Sequence, residues 1–208
     1  MRLLGGLALV AAVLTLSGCA GMSEQACVAT DWQSVGFEDG VAGRSPGSIA
    51  NYRQACSKYG IAPSLEQYRV GHADGAELYC RAGNGFEVGR RGGRYLGVCS
   101  AELEPAFLDA FANGRELYEF EAALRSVENQ IAARHRRLEE LTGELTAASV
   151  AIISDETGAE RRAELLLNAA AMAKEQGKIA EEIEALEVER ALREADLYAY
   201  RQTVAFAY

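Results

Sequence analysis

The protein has 208 residues, 49% of them hydrophobic, enough for one or two compact units with real cores. Its net charge of −9 at pH 7 offers little general attraction for nucleic acid or anionic lipid, since both require a basic patch. Beyond the first 18 residues no apolar run is long enough to cross a bilayer, which takes roughly 20.

Met1–Leu16 has one charge, Arg2, ahead of an apolar run from Leu3 to Leu16, the plan of a signal peptide over residues 1–18. Leu16, Ser17 and Gly18 then set small residues at a cleavage site directly before Cys19. This start resembles that of bacterial lipoproteins, and the resemblance implies a lipid-acylated Cys19, bearing diacylglycerol and palmitate, as the new N-terminus. Ala20 follows in place of Asp, which by the same resemblance favours the outer membrane. Cleavage removes Arg2 and no acid, so the charge of the remaining 190 residues becomes −10. Residues 19–30 read as a lipidated tether, and the membrane is reached only through the lipid on Cys19.

The other cysteines, Cys27, Cys56, Cys80 and Cys99, form an even set in an oxidising compartment and imply two disulfides. Four cysteines allow three connectivities, and sequence cannot choose among them. The shorter loops favour Cys27 with Cys56 and Cys80 with Cys99. Metal ligation is the rival reading, but no C-x-x-C pair supports it, so the expectation is no metal and no cofactor.

Residues 31–118 form a Gly-rich region: 14 of the 21 glycines lie there. It repeats itself, through Val35-Gly36-Phe37-Glu38-Asp39-Gly40, Val70-Gly71-His72-Ala73-Asp74-Gly75 and Val88-Gly89-Arg90-Arg91-Gly92-Gly93, with Trp32, Tyr68 and Phe86 upstream and a degenerate copy at Phe111–Gly114. Each copy reads either as a helix whose i, i+4 glycines admit a neighbouring backbone, or as a hairpin with a tight Asp-Gly turn. Strict alternation is absent, and Asp31 before Trp32 and Ser64 with Gln67 before Tyr68 are helix starts, so the helical reading is favoured. Ile49, Tyr52, Cys56 and Tyr59 add a further helix, started at Ser48 and stopped by Gly60.

Asp31-Trp32-x3-Gly36-x2-Asp39-Gly40, Tyr68-x2-Gly71-x3-Gly75-x3-Tyr79-Cys80, Asn84-Gly85-Phe86-x2-Gly89-x3-Gly93-x-Tyr95-x-Gly97-Val98-Cys99 and Phe111-x2-Gly114-x2-Leu117-Tyr118 together resemble the bacterial lipoproteins of the domain-of-unknown-function 2799 family, over residues about 19–120. The resemblance implies a Gram-negative envelope lipoprotein and brings no activity.

From Glu102 onward the sequence predicts very long helices, entered near Pro105. Leu117, Phe120, Leu124, Val127, Ile131, Arg134, Leu138, Leu141, Leu145, Ala148 and Ile152 make one heptad seam. Leu165, Ala169, Met172, Gln176, Ile179, Ile183, Leu186, Arg190, Arg193, Leu197, Tyr200 and Val204 make a second. A break at 154–158, with Thr157 and Glu160 as a capping box, implies that residues 119–208 fold back as an antiparallel hairpin. Tyr198, Tyr200, Phe206 and Tyr208 are expected to pack at its base. Arg134, Gln176, Arg190 and Arg193 are polar intrusions expected to reach acids such as Glu121 or Glu128. The fold class is therefore mainly α: a small Gly-rich, disulfide-bonded helical domain followed by a long antiparallel coiled-coil hairpin.

No catalytic constellation emerges. His135 sits among Arg134, Arg136 and Arg137 on a solvated face. The candidate ligand or partner contacts are Trp32, Asp39, Tyr68, His72 and Asp74, which could line a cleft, and Arg90, Arg91 and Arg94, a local positive patch suited to an anionic group such as a lipid headgroup phosphate or a wall carboxylate. The leading expectation is a non-enzymatic envelope lipoprotein whose coiled coil meets a periplasmic partner protein or a second copy, with no nucleic acid involved. Its rivals are a periplasmic ligand-binding or hydrolytic domain and a hairpin adaptor of an export or efflux assembly, contacting its partner near Asp155 and Glu156.

Overall fold

The computed structural model describes residues 22–205, so the signal peptide, Cys19, Phe206 and Tyr208 lie outside the described residues. Seven α-helices run through those residues, with no strand among them: α1 Glu24–Ala29, α2 Trp32–Val41, α3 Ile49–Ser57, α4 Leu65–Tyr79, α5 Ala82–Arg90, α6 Glu104–Ile153 and α7 Ala159–Val204. The chain divides into two compact units, the first ending at Leu78 and the second beginning at Tyr79.

In the first unit, Ser23 starts α1 by accepting the Ala26 N–H at 3.1 Å. Asp31 starts α2 by accepting the Gln33 N–H at 3.0 Å and the Ser34 hydroxyl at 2.6 Å. A tether over 19–30 is therefore too simple for its last part: residues 24–29 are a helix, and Cys27 on it is 1% exposed and disulfide-bonded to Cys56 of α3. Ser48 does not cap α3 with its side chain. A single 3-10 turn over Pro46–Ser48, capped by Ser45, leads into that helix instead, and Gly60 at φ 72° ends its run-out. Cys27, Trp32, Ile49, Cys56 and Tyr68 form the core, with Met22, Val35, Tyr52, Tyr59 and Ile61 packed on it.

The second unit carries the Cys80–Cys99 disulfide and a core of Tyr79, Cys80, Val88 and Phe107 under α5 and the start of α6. Pro105 sits in the first turn of α6, where its missing N–H costs nothing. That helix then runs unbroken for 50 residues, about 75 Å at 1.5 Å per residue. No structural break falls at 118/119; the first turns of α6 pack on α5, and the remainder lies against α7.

Contacts between α6 and α7 run from residue 113 with 200 at one end to 142 with 176 at the other. The Tyr200 hydroxyl donates to the Asn113 carbonyl (3.0 Å), Arg134 meets Glu182 (2.6 Å), Arg137 meets Glu175 (3.0 Å) and the Gln176 amide donates to the Thr142 hydroxyl (3.0 Å). Every residue of the first seam is buried or half-buried, and of the second only Arg193 is exposed. The polar intrusions do find acids, though not those expected: Glu182 serves Arg134, Glu187 and Glu194 serve Arg190, and Glu189 serves Arg193. Glu121 is taken by Arg125 and Arg201. At the turn, the capping box does not form. Gly158 is the N-cap of α7, and the Thr157 hydroxyl donates back to the Ala151 carbonyl of α6 at 2.7 Å.

Candidate functional site

The glycine motifs are helical, and they make two helix pairs of one design. In the first, α2 crosses α4 with backbone against backbone. A methyl group on Gly36 would come within 2.9 Å of the His72 amide nitrogen, one on Gly40 within 2.7 Å of that of Ala76, and one on Gly75 within 2.9 Å of that of Val41. In the second, α5 crosses α6 in the same way, with Gly89 facing the Arg115 nitrogen at 2.8 Å and Gly114 facing that of Arg90 at 2.8 Å. No side chain fits such approaches, which explains glycines inside helices where each costs about 1 kcal/mol against alanine.

The contacts also reset the register of the repeat. Gly36 and Gly40 touch the carbonyls of Tyr68 and His72, whereas Gly85 and Gly89 touch those of Phe107 and Phe111. The partner of Gly36 is thus Gly85, one helical turn before the Gly89 that the V-G pattern aligns with it. Gly93 lies beyond the helix. After each first helix the chain turns through a glycine of positive φ, Gly43 at 68° and Gly92 at 71°.

With the register set, the two pairs differ inside. Asp39 in the first corresponds to Val88 in the second, Tyr68 to Phe107 and His72 to Phe111. The first pair therefore encloses a polar cluster where the second is apolar. Asp39 is 1% exposed and accepts from Arg44 at 2.6 Å and the Tyr52 hydroxyl at 3.3 Å through Oδ1, and from the Tyr68 hydroxyl at 2.7 Å through Oδ2. The protonated Nε2 of His72 donates to the Arg44 carbonyl at 2.7 Å. Trp32, Tyr52, Tyr68 and His72 form a row of rings with centroids 5.9, 6.3 and 5.9 Å apart. Burial, then the bond to Asp39 and its negative charge, push the Tyr68 hydroxyl well above the ordinary tyrosine range, and the Tyr52 hydroxyl rises for the same reasons. The ion pair in turn raises Arg44.

Of the candidate residues, the fold thus gathers Trp32, Asp39, Tyr68 and His72 and leaves the rest elsewhere. Asp74, two residues after His72, is exposed and lines an open acidic depression with Asp31, Ser34 and Glu38. The two aspartates do not share a site, because the V-G-x-x-D-G copies sit on different helices and present the acid to different surroundings. Arg90, Arg91 and Arg94 belong to the second unit, at and after the end of α5. What sequence reasoning missed in the cluster is Arg44 and Tyr52. Tyr52 was legible only as a core position of α3, and nothing in the sequence joined Arg44 to Asp39.

The cluster satisfies itself: both carboxylate oxygens are occupied, and the hydroxyls and guanidinium that meet them come from three separate segments. Its evident chemical effect is to pin the α2–α3 connection onto α4. A second concentration of unusual side chains lies at the α6–α7 turn. Val150, Ile153, Leu166 and Leu167 are 62, 79, 55 and 74% exposed, while Ala148 and Leu165 beside them are buried.

Residues 31–116 match the family model described as "Protein of unknown function (DUF2799)". No curated protein and no solved structure matches the chain.

Proposed function

We propose that this protein, whose residues 31–116 match a family model whose description names no activity, is a lipid-anchored envelope protein acting as a non-enzymatic interaction module. Its α6 and α7 form an antiparallel coiled-coil hairpin whose turn end meets a periplasmic protein partner or a second copy. The observation that carries this reading is the exposure of four large apolar side chains, Val150, Ile153, Leu166 and Leu167, close to the turn in sequence; on the rest of α7 only Val188, Leu192 and Tyr198 are large apolar residues so exposed. Large apolar side chains left in water at one place mark a contact surface, each worth about 1.5–3 kcal/mol if fully buried by a partner.

The anchor rests on Leu16-Ser17-Gly18-Cys19, with Ala20 favouring the outer membrane; no helix among the described residues is long and apolar enough to cross a membrane. Palmitate labelling that disappears in Cys19→Ser tests it, and persistent labelling would refute it. A binding or hydrolytic role for the glycine domain is less favoured, since Asp39 is closed in and Asp74 stands apart.

Ile153→Ser with Leu167→Ser should reduce partner capture at least tenfold while leaving both disulfides and the helical signal intact. The adaptor reading instead places the contact on Asp155 and Glu156. Loss of capture in Asp155→Ala with Glu156→Ala, and none in the apolar pair, would favour that alternative over ours.

A further inference from the structure

The segment that follows α5 departs from its counterpart in the first helix pair. There, Arg44 turns back and pairs with Asp39 at 2.6 Å. Here the place of Asp39 is taken by Val88, and no acidic residue occurs between Glu87 and Glu102. Arg90 reaches Glu87 at 3.1 Å, and Arg91 donates its Nε–H to the Glu87 carbonyl at 3.1 Å. Arg94 is exposed and has no hydrogen bond or ion pair to another described residue.

Leu96, two residues on, is 51% exposed. Tyr95 between them faces inward. Its hydroxyl donates to Glu104 at 2.8 Å and accepts the Cys99 N–H at 3.0 Å, and its ring lies 4.9 Å from that of Phe107. Arg94 and Leu96 are thus both exposed, on either side of the inward Tyr95. The Gly93 N–H bonded to the Val88 carbonyl at 2.9 Å holds one end of the segment, and the Cys80–Cys99 disulfide holds the other.

We propose that Arg90–Cys99 is a membrane-seating loop that binds the surface of an anionic phospholipid bilayer, with Arg94, supported by Arg91 and Arg90, on headgroup phosphates and Leu96 at the acyl boundary. An exposed cation two residues from an exposed apolar side chain, on a segment held at both ends, matches an interface that is anionic above and apolar just below. A dissolved anion has nothing to offer Leu96. Because the loop is already ordered, seating it loses little conformational entropy. This contact is separate from the hairpin and from the N-terminal lipid.

The test uses the full oxidised chain carrying Leu96→Trp, mixed with vesicles of brominated phosphatidylcholine alone or of that lipid with phosphatidylglycerol. We expect quenching of the new tryptophan in the mixed vesicles only, weakened by salt. Each of Arg91→Gln and Arg94→Gln should weaken loop seating about fivefold, and Arg94→Lys should retain most of it. Equal quenching in neutral and mixed vesicles, or quenching in neither, would overturn the proposal. Loss of quenching on adding glycerol phosphate, at unchanged ionic strength, would reassign the site to a soluble anion and overturn it too. Sedimentation with neutral vesicles reads the N-terminal anchor separately, so the two readings fail independently. Intact disulfides and helical circular dichroism in each variant show that it has folded.

Discussion

Asp39→Val converts the polar interior of the first helix pair toward the apolar interior of the second, where Val88 occupies the same place. Asp39 and Tyr68 are 1% and 0% exposed and joined at 2.7 Å, so the substitution strands a buried hydroxyl, at a cost of about 1–3 kcal/mol. The Arg44 contact adds less than about 1 kcal/mol, because the Arg44 side chain is 60% exposed and solvent screens the pair. Tyr68→Phe alone removes the same bond and leaves Asp39 with Arg44 and Tyr52. The double variant removes both partners and reproduces the Val and Phe of the second pair, so it should return to within about 1 kcal/mol of the parent. Urea unfolding followed by tryptophan fluorescence reads this directly. Trp32 is the only tryptophan and packs 5.9 Å from Tyr52 in the affected core. A double-mutant cycle with coupling of about 1–2 kcal/mol is the expected outcome. Strictly additive losses, or an Asp39→Val protein as stable as the parent, would show that the cluster does not pin the connection.

Three further outcomes follow from the geometry. Gly40→Ala places a methyl group against the His72 carbonyl and 2.7 Å from the Ala76 nitrogen, and should cost about 3 kcal/mol or more or prevent the unit from folding. Gly177→Ala, in open space on α7, should instead stabilise by about 1 kcal/mol in thermal unfolding. Tyr52, Tyr68, Tyr79 and Tyr95 all have hydroxyls raised above the ordinary range, chiefly by burial. The folded state then holds protons that the unfolded chain releases near pH 10, so stability is whole below that pH and falls as pH rises above it. Tyr68→Phe should make that fall shallower, and an unchanged slope would contradict the role of burial.

The helical character of the glycine motifs was legible because Asp31 and Ser64 are helix starts and no alternation competed. Both disulfides follow the shorter loops. The seams were legible from heptads alone, since a 3.5-residue period survives whatever the helix packs on. The register of the repeat was not, because Val88-Gly89 aligns by pattern with Val35-Gly36, whereas by contacts Gly89 corresponds to Gly40 and Gly85 to Gly36. Nor was the Asp39 cluster, whose partners Arg44, Tyr52 and Tyr68 come from three segments that only tertiary folding brings together. Asp39 and Asp74 read as equivalent in sequence, yet one is buried and one lines a surface depression.

The turn end of the α6–α7 pair is the place proposed for partner binding. A photo-crosslinking residue placed singly at Ile153, at Leu167 and, as a control, at Gly177 in the full chain, activated in intact cells, tests it most directly. One shared product is expected from Ile153 and Leu167, a partner protein or a second copy, and none from Gly177. Product of equal yield from all three positions, or from Gly177 alone, would contradict it.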